Sequence, residues 1–325
     1  MKRLVLIDSH AVIHRAFHAL PPLTSAAGEP VQAVYGFTSI LLKLLRELKP
    51  DYVVATFDHE GPTFRHVAFE RYKATRVKAP DALYQQIPLV KELVSAFGIP
   101  VIEKAGYEAD DLIGTVAAAV RKHHPSIEII IATGDLDTLQ LVDERTKVFT
   151  MRKGVTDTVL YDTLAVRERY GLAPSQLVDF KGLRGDPSDN IPGVKGIGEK
   201  TATELLARHR SIEQLYRALK KGEVLAKPGI IAALKAHEAD ALFSKTLATI
   251  DRNAPIHFVL ESARVRRSGT VRESSRAILE RLGFESLLKR MGQDGTIPQA
   301  RPLAPVGEKK SPPRLTHSST LQSIR

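Results

Sequence analysis

Cysteine is absent from the 325-residue sequence, and so are long apolar runs. Without cysteine the chain forms no disulfide, holds no metal through thiolate and uses no thiol nucleophile, which fits a reducing cytoplasm. A membrane-spanning helix needs ~20 consecutive apolar residues, and no stretch approaches that length. We therefore expect a cytoplasmic protein with no membrane partner.

Acidic residues are the minority charge, because 47 Lys and Arg outnumber 37 Asp and Glu, for a formal net charge of +10. A basic excess favours a polyanionic partner such as nucleic acid. The excess is moderate, and charge alone leaves a nucleic-acid partner and a merely basic surface equally open. Hydrophobic residues make up 43% of the chain, enough to bury a core, and the length predicts about two domains.

Three β-branched runs in the first half predict strands that are buried on both faces. They lie at 4–8, 52–58 and 127–135, and they lack the polar alternation of a half-exposed strand. Helical periodicity over 31–48 and 109–123 separates these runs. Strands and helices that alternate in this way indicate an α/β fold with a central, mostly parallel sheet.

The second half has short helical segments, glycine-rich turns and little strand signal. We divide the chain into an α/β domain over 1–165, a helical domain over 166–291 and a disordered, proline-rich tail over 292–325. The segment 59–85 is basic and aromatic, and it is long for a connection from strand to helix. Connections of that length are often functional.

Each of the three predicted strands ends in an aspartate: Asp8, Asp58 and Asp135. In an open parallel sheet, ligands bind outside the carboxyl ends of the strands. Aspartate is also common in turns, which explains one or two such positions more easily than three. We therefore expect these three side chains to converge on one site.

Further carboxylates occur at helix starts and in turns. Acids at a helix start also have a structural explanation, because the helix dipole stabilises them. Nine carboxylates gathered without a cation would repel one another, and oxygen-only ligation suits Mg²⁺ or Mn²⁺. A pair of such ions can promote hydrolysis of a phosphodiester. Calcium storage is the weaker alternative, because the sequence has no EF-hand spacing. The predicted metal ligands are Asp8, Asp58, Glu108, Asp110, Asp111, Asp135, Asp137, Asp186 and Asp189.

A glycine-rich segment over 190–202 leads into another predicted helix. Gly193 and Gly198 have the spacing of a P-loop, but Lys200 comes one position late and no buried strand precedes it, which argues against an ATP site. We interpret the segment as a hairpin between two helices, whose glycines let the backbone approach a DNA phosphate beside Lys195 and Lys200. Such binding would be independent of base sequence. A plain turn between helices is the alternative.

Several long motifs occur together in an order that is specific to one family. They are LVLIDSHAVIHRAFHALPPL, ATFD with FRHVAFERYKATR, GYEADDLIGT, ATGDLDTLQLV and GDPSDNIPGVKGIGEKTA. From about residue 4 to about residue 290, the chain resembles the 5′→3′ exonuclease domain of bacterial DNA polymerase I, within the flap endonuclease superfamily. No polymerase region follows these motifs. We therefore expect a standalone exonuclease or an excised domain, with a separate DNA polymerase as a candidate partner.

The resemblance implies a PIN or resolvase-like sheet followed by a helical, SAM-like domain with a helix-hairpin-helix. It implies two or three Mg²⁺ ions, replaceable by Mn²⁺, on the nine carboxylates, and often a K⁺ ion at the hairpin. Segment 59–85 would form a helical arch that accepts a free 5′ end. Lys73, Arg76, Asp110 and Asp137 would be catalytic. The residues that would contact DNA are Arg15, Tyr72, Lys73, Arg76, Gly193, Lys195, Gly196, Gly198, Lys200 and Thr201.

The expected activity is hydrolysis of DNA at a free 5′ end, a 5′ flap or a nick, by a monomer that acts in RNA-primer removal, Okazaki-fragment maturation and repair. Ser9 replaces the glycine usual after the first aspartate, and Leu136 replaces a frequent lysine, so both bear on rate and metal preference. Two alternatives stay open. A non-catalytic DNA-binding protein would have lost some acids, and a PIN-like ribonuclease would lack the hairpin and arch.

Overall fold

A computed structural model describes residues 1–153, 157–266 and 269–291, so the predicted tail 292–325 lies outside the described residues. Within them, one sheet contains β1 (Arg3–Asp8), β2 (Tyr52–Thr56), β3 (Val101–Ile102), β4 (Glu128–Ala132), β5 (Thr146–Lys153) and β6 (Asp157–Tyr161). The order across the sheet is β3-β2-β1-β4-β5-β6, and every neighbouring pair is parallel except β5 with β6. The mostly parallel α/β sheet predicted from the sequence is confirmed.

Helices flank the sheet and then continue without strands. The first six are α1 (Ser9–Ala19), α2 (Gln32–Leu48), α3 (Phe64–Ala68), α4 (Asp81–Tyr84), α5 (Ile87–Ala96) and α6 (Ala109–His123). The others are α7 (Thr163–Tyr170), α8 (Leu177–Arg184), α9 (Glu199–His209), α10 (Ile212–Lys220), α11 (Pro228–Ala236), α12 (Glu238–Ala248), α13 (Gly269–Arg281) and α14 (Glu285–Met291). No helix in the described part of the chain is long and apolar enough to cross a membrane.

The central strands bury both faces, as their continuous apolar sequences predict. In β1, Val5 and Ile7 face a core formed with α1, α2 and α5, whereas Leu4 and Leu6 face a second core formed with α6. Because successive strand residues point to opposite faces, both sets must be apolar. The carboxyl ends of β1, β2 and β4 then lie side by side at one edge of the buried sheet.

The helical part has a core of its own, to which Phe180, Leu205, Leu215 and Leu234 contribute. Helix α8 ends at Arg184 and α9 begins at Glu199, so the glycine-rich segment joins two helices, as the hairpin interpretation predicts. The last two helices, α13 and α14, instead pack in the core on the α1–α2–α5 face of the sheet.

Two features of the α/β layer were not predicted from the sequence. Strand β6 lies antiparallel at the sheet edge and is half-exposed, so its residues form no continuous apolar run. The predicted arch 59–85 contains the short helices α3 and α4, and turns connect them. Neither helix is long enough to show a clear apolar periodicity in the sequence.

The turn after α8 needs glycine for steric reasons, which predicts a graded mutational series. Gly193 has φ +63°, and a Cβ there would lie 2.2 Å from the Gly185 backbone nitrogen. We expect Gly193→Ala to lower the free energy of unfolding by about 3 kcal/mol, from a strained φ and a clash. Gly196 has φ +88° in open space, so Gly196→Ala should cost about 1 kcal/mol.

Gly198→Ala is the matched control, because Gly198 has φ −93° and no atom within 4 Å of an added Cβ. Urea unfolding followed by circular dichroism measures all three variants. Equal stability of the Gly193 and Gly198 variants would contradict the steric explanation.

Candidate active site

Asp8 ends β1 and caps helix α1. Its carboxylate accepts hydrogen bonds from the Ala11 backbone N–H (3.1 Å) and from the hydroxyl of Thr133 (2.6 Å), which follows β4. Burial, together with the charges of Asp58 and Asp135, raises the pKa of Asp8 to about 7 despite these hydrogen bonds. The central strand therefore ends in a carboxylate whose negative charge is poorly compensated.

Asp58 connects the end of β2 to the start of α6. Its carboxylate accepts a hydrogen bond from the Ala109 backbone N–H at 2.7 Å, and its own N–H donates to His10 Nδ1 at 3.0 Å. The Asp58 side chain is 45% exposed, so it faces solvent beside the buried Asp8.

Asp110, in the first turn of α6, is a buried carboxylate whose pKa responds to several other acids. Its pKa is raised well above the ordinary value, first by burial and then by the charges of Asp8, Asp135, Asp137 and Glu108. These four residues come from β1, from the turn after β4 and from the cap of α6. The charges of acids from three elements therefore act on one buried carboxyl group.

A 3₁₀ turn over Leu136–Leu141 follows β4 and carries the next acid. Asp135 caps this turn by accepting the Asp137 backbone N–H at 2.9 Å. Burial and the charge of Asp135 raise the pKa of Asp137 to about 7, although Lys181 contacts its carboxylate.

Asp137, Asp186 and Asp189 each offer a carboxylate oxygen, and these atoms lie within 4.8 Å of one another. Asp186 and Asp189 belong to the loop after α8, so the helical part contributes to the same site as the sheet. Burial would raise the pKa of Asp186, but the neighbouring Lys181 and Ser188 hold it at about 2. Three carboxylate oxygens this close together can share one divalent cation.

The basic residues of segment 59–85 lie against these acids. Lys73 Nζ donates to Glu108 at 2.6 Å, and the Lys73 backbone N–H donates to the Asp189 carbonyl at 2.9 Å. Arg76 forms an ion pair with Asp189. Tyr72 is buried, and its hydroxyl donates to Glu108 at 3.1 Å. Acids from the sheet layer and from the helical part therefore share one set of basic neighbours.

The other predicted DNA contacts are Arg15 and residues of the hairpin. Arg15 Nη2 donates to the Met151 carbonyl of β5 at 2.9 Å. In the hairpin, Lys195, Gly196, Gly198 and Lys200 are exposed, and Thr201 is half-buried. Gly193 differs from them, because it is buried and its N–H donates to the Ser244 hydroxyl at 2.9 Å.

Asp111 was predicted as a metal ligand, but the structure gives its oxygens other partners. The Arg65 guanidinium donates to both carboxylate oxygens, each at 2.8 Å. The backbone N–H groups of Glu108 and Asp251 add one further hydrogen bond to each oxygen, at 3.1 Å and 2.8 Å. This buried carboxylate therefore accepts four hydrogen bonds and is the ion-pair partner of Arg65, whereas its role as a metal ligand stays a prediction.

Sequence reasoning also missed three residues that contact the site. Lys181 pairs with Asp186 at 2.6 Å, but a lysine in a short helix has the same sequence signal as a solvated surface charge. Arg65 and Gln140 lie inside the motifs FRHVAFERYKATR and ATGDLDTLQLV. Each also bonds to the end of α12, more than 100 residues away in the chain, and local spacing could not identify that contact.

Two family descriptions match adjoining parts of the chain. The description "5′-3′ exonuclease, N-terminal resolvase-like domain" matches residues 3–171. The description "5′-3′ exonuclease, C-terminal SAM fold" matches residues 172–270.

Curated relatives extend the similarity over most of the chain. DNA polymerase I of Bacillus caldotenax is 44% identical over 305 residues, which cover 93% of this chain and 34% of that protein. The Bacillus subtilis DNA polymerase I is 43% identical over 293 residues, covering 90% of this chain and 32% of that protein. The chain therefore spans about a third of the length of these relatives.

Solved structures share the fold at low sequence identity. T5 5′-exonuclease with bound zinc has a TM-score of 0.63 and 19% identity, covering 86% of this chain and 99% of that one. Human GEN1 in complex with Holliday junction DNA has a TM-score of 0.56 and 16% identity, covering 96% and 79%. The fold, the converging acids and the two family matches from residue 3 to residue 270 lead to one conclusion: the chain belongs to the 5′-3′ exonuclease family.

Proposed function

We propose that this chain is a metal-dependent 5′→3′ DNA exonuclease and 5′-flap endonuclease. The observation that carries the proposal is the cluster of Asp137, Asp186 and Asp189, whose carboxylate oxygens lie within 4.8 Å of one another although they come from two separate segments of the chain. Other carboxylates also act on the pKa of the nearby Asp110. At the edge of this cluster of acids, Lys73 forms an ion pair with Glu108, and Arg76 forms an ion pair with Asp189. A cluster of acids with basic neighbours suits a phosphodiester substrate, and the family is one of nucleases.

Two or three Mg²⁺ ions, replaceable by Mn²⁺, fit the donor set. All of the clustered donors are carboxylates, the ligands that these hard cations prefer. When bound, the ions would lower the pKa of water and stabilise charge on the phosphate and the leaving oxygen. We propose two groups of ligands: Asp8, Asp58, Glu108 and Asp110 in one, and Asp135, Asp137, Asp186 and Asp189 in the other.

The chain's own basic groups position the substrate. Lys73 and Arg76 would neutralise the scissile phosphate as negative charge develops in the transition state. Tyr72 and Arg15 would contact the same strand, and the segment 59–85 would accept its free 5′ end.

The exposed hairpin would hold the duplex. Lys195 and Lys200 supply positive charge, and the first amides of the eleven-residue helix α9 supply hydrogen-bond donors for a phosphate. These contacts read no base edges, so binding is independent of sequence. A K⁺ ion at the hairpin is a further proposal from the family resemblance.

The biological setting follows from the relatives. They are DNA polymerases, so a polymerase, joined to this chain or separate from it, is the proposed partner. The substrate would be a flap or nick left by synthesis, in primer removal, Okazaki-fragment maturation and repair. We propose that the chain acts as a monomer.

Removing a single central carboxylate tests the proposed function. We expect Asp110→Asn and Asp137→Asn to reduce cleavage of a 5′-flap duplex by at least about 100-fold, because each loses charge that holds a cation at the reacting phosphate. Product analysis of a flap substrate labelled at either end, with Mg²⁺ and with excess EDTA, measures the effect. Asp162→Asn is the matched control, because Asp162 caps α7 and asparagine caps a helix equally well.

Three outcomes would contradict the proposal. Undiminished cleavage by both variants, or full cleavage in EDTA, would remove the metal-dependent mechanism. Tight DNA binding without cleavage in Mg²⁺ or Mn²⁺ would favour the non-catalytic alternative. Preference for RNA over flap DNA in competition would favour a ribonuclease.

The raised pKa values of Asp8 and Asp137 predict how stability changes with pH in EDTA. Both pKa values are about 7 in the folded protein, against an ordinary value of 3.8, so the folded state binds more protons between those values. Their contribution to the free energy of unfolding therefore falls as pH rises from 5 to 8. Mg²⁺ binds the ionised carboxylates, so it should raise the Tm more at pH 8 than at pH 5.

The comparison is between wild type and the double variant Asp8→Asn/Asp137→Asn. Burial lowers the pKa of His10, which gives the opposite slope in both proteins and cancels in the difference. The difference then reports the two carboxyls together with their effect on the pKa of Asp110, which has the same sign. Thermal unfolding at each pH measures it. A wild-type Tm that gains on the variant from pH 5 to pH 8 in EDTA would contradict the prediction.

A further inference from the structure

The segment 247–251, where helix α12 ends, is contacted by side chains from three elements of the proposed active site. We propose that this segment positions the acids: it fixes the spacing between the base of the arch, helix α6 and the 3₁₀ turn Leu136–Leu141, and Arg65 and Gln140 are its positioning residues. The inference rests on the proposed function and concerns how that site is held together.

Arg65 joins the arch to the segment. Its side chain is 3% exposed, and its guanidinium donates to the Leu247 carbonyl at 2.9 Å and to the Thr249 carbonyl at 2.7 Å. The same guanidinium donates to both oxygens of Asp111 at 2.8 Å. Arg65 lies in α3, which leads to Lys73 and Arg76 in the arch.

Gln140 joins the 3₁₀ turn to the same segment. Its side-chain amide donates to the Ala248 carbonyl at 3.0 Å and accepts the Ile250 backbone N–H at 2.9 Å. The amide also donates to the carbonyl of Asp137 at 3.0 Å. The backbone that carries the central acid Asp137 is therefore tied directly to the end of α12.

Helix α6 makes the third connection. Asp111 accepts the Asp251 backbone N–H at 2.8 Å, and it lies next to Asp110 in the first turn of α6. Backbone groups of residues 247 to 251 are thus held by the arch, by the 3₁₀ turn and by α6. A buried hydrogen bond that loses its partner costs about 1–3 kcal/mol, so each connection resists displacement of its element.

The C-terminal half of α12 also supports the hairpin. The Ser244 hydroxyl accepts the Gly193 backbone N–H at 2.9 Å, and Lys245 pairs with Asp179 of α8 at 2.6 Å. The end of one helix therefore carries contacts to the proposed duplex-binding hairpin, to the base of the arch, to the 3₁₀ turn and to α6. This continuity fixes the distance between the duplex and the acids.

Arg65→Lys and Gln140→Leu test the proposal. Lysine keeps the positive charge but cannot form the planar fork that serves two carbonyls and a carboxylate together. Because partners that orient metal ligands contribute about 10–100-fold to metal affinity, we expect each variant to bind Mn²⁺ at least about tenfold more weakly. Electron paramagnetic resonance titration measures free Mn²⁺, and circular dichroism checks folding.

Two matched controls make the same substitutions, Gln to Leu and Arg to Lys, at positions outside the proposed site. Gln176 donates to the Leu206 and Arg210 carbonyls and accepts the Ala173 N–H, the same pattern as Gln140 but inside the helical part. Arg3 pairs with Glu128 at the opposite end of β1 from Asp8. We expect Gln176→Leu and Arg3→Lys to bind Mn²⁺ within about twofold of wild type, because the hydrogen-bond partners of these side chains among the described residues include neither a proposed metal ligand nor the segment 247–251.

A second readout separates positioning from general damage. Raising the Mn²⁺ concentration should restore flap cleavage by Arg65→Lys and Gln140→Leu, whereas Asp110→Asn should stay inactive. If one positioning variant does not fold, the other carries the test alone. Mn²⁺ affinity within twofold of wild type in a folded positioning variant would overturn the proposal. A wild-type protein that binds no Mn²⁺ would instead overturn the proposed function.

Discussion

Repulsion among carboxylates is the constraint on which the site depends. Asp8, Asp110 and Asp137 are held where burial and neighbouring charges raise their pKa values, so the ionised forms are destabilised in the protein itself. A fold keeps such groups together only if other contacts prevent the elements from separating. The apolar sheet provides those contacts on one side, and the basic residues Lys73 and Lys181 offset part of the charge on the other.

Parallel strand topology explains why the acids meet. Strand β1 lies between β2 and β4, which extend the sheet in opposite directions from it. This is the switch point at which open parallel sheets leave a crevice at their carboxyl ends. Asp8 follows the central strand, and the start of α6 is drawn to the same crevice because the Ala109 N–H bonds to Asp58.

Much of this arrangement follows from local sequence patterns. The buried strands have unbroken β-branched runs. An aspartate at the end of β1, or two to three residues after the ends of β2 and β4, reaches the same edge once the strands are parallel. The hairpin is signalled by its glycines. The ion pair of Asp111 could not be predicted, because its partner Arg65 is 46 residues away and a first-turn acid has the same pattern whether it binds a cation or a guanidinium. Gly193 was expected to approach DNA, yet its close neighbour is the backbone of Gly185, a contact that exists only after the turn folds.

The last two helices, α13 and α14, pack against the sheet domain in which the chain began, and this affects how the protein folds during synthesis. Ile278, Leu279 and Leu287 complete the core against α2 and α5, although the whole helical part intervenes between them and the sheet in the sequence. During synthesis, the apolar side chains of α2 and α5 that α13 and α14 cover are therefore exposed until those last two helices have emerged. The core on this face of the sheet is completed only then, and the helical part is anchored to the sheet at both of its ends.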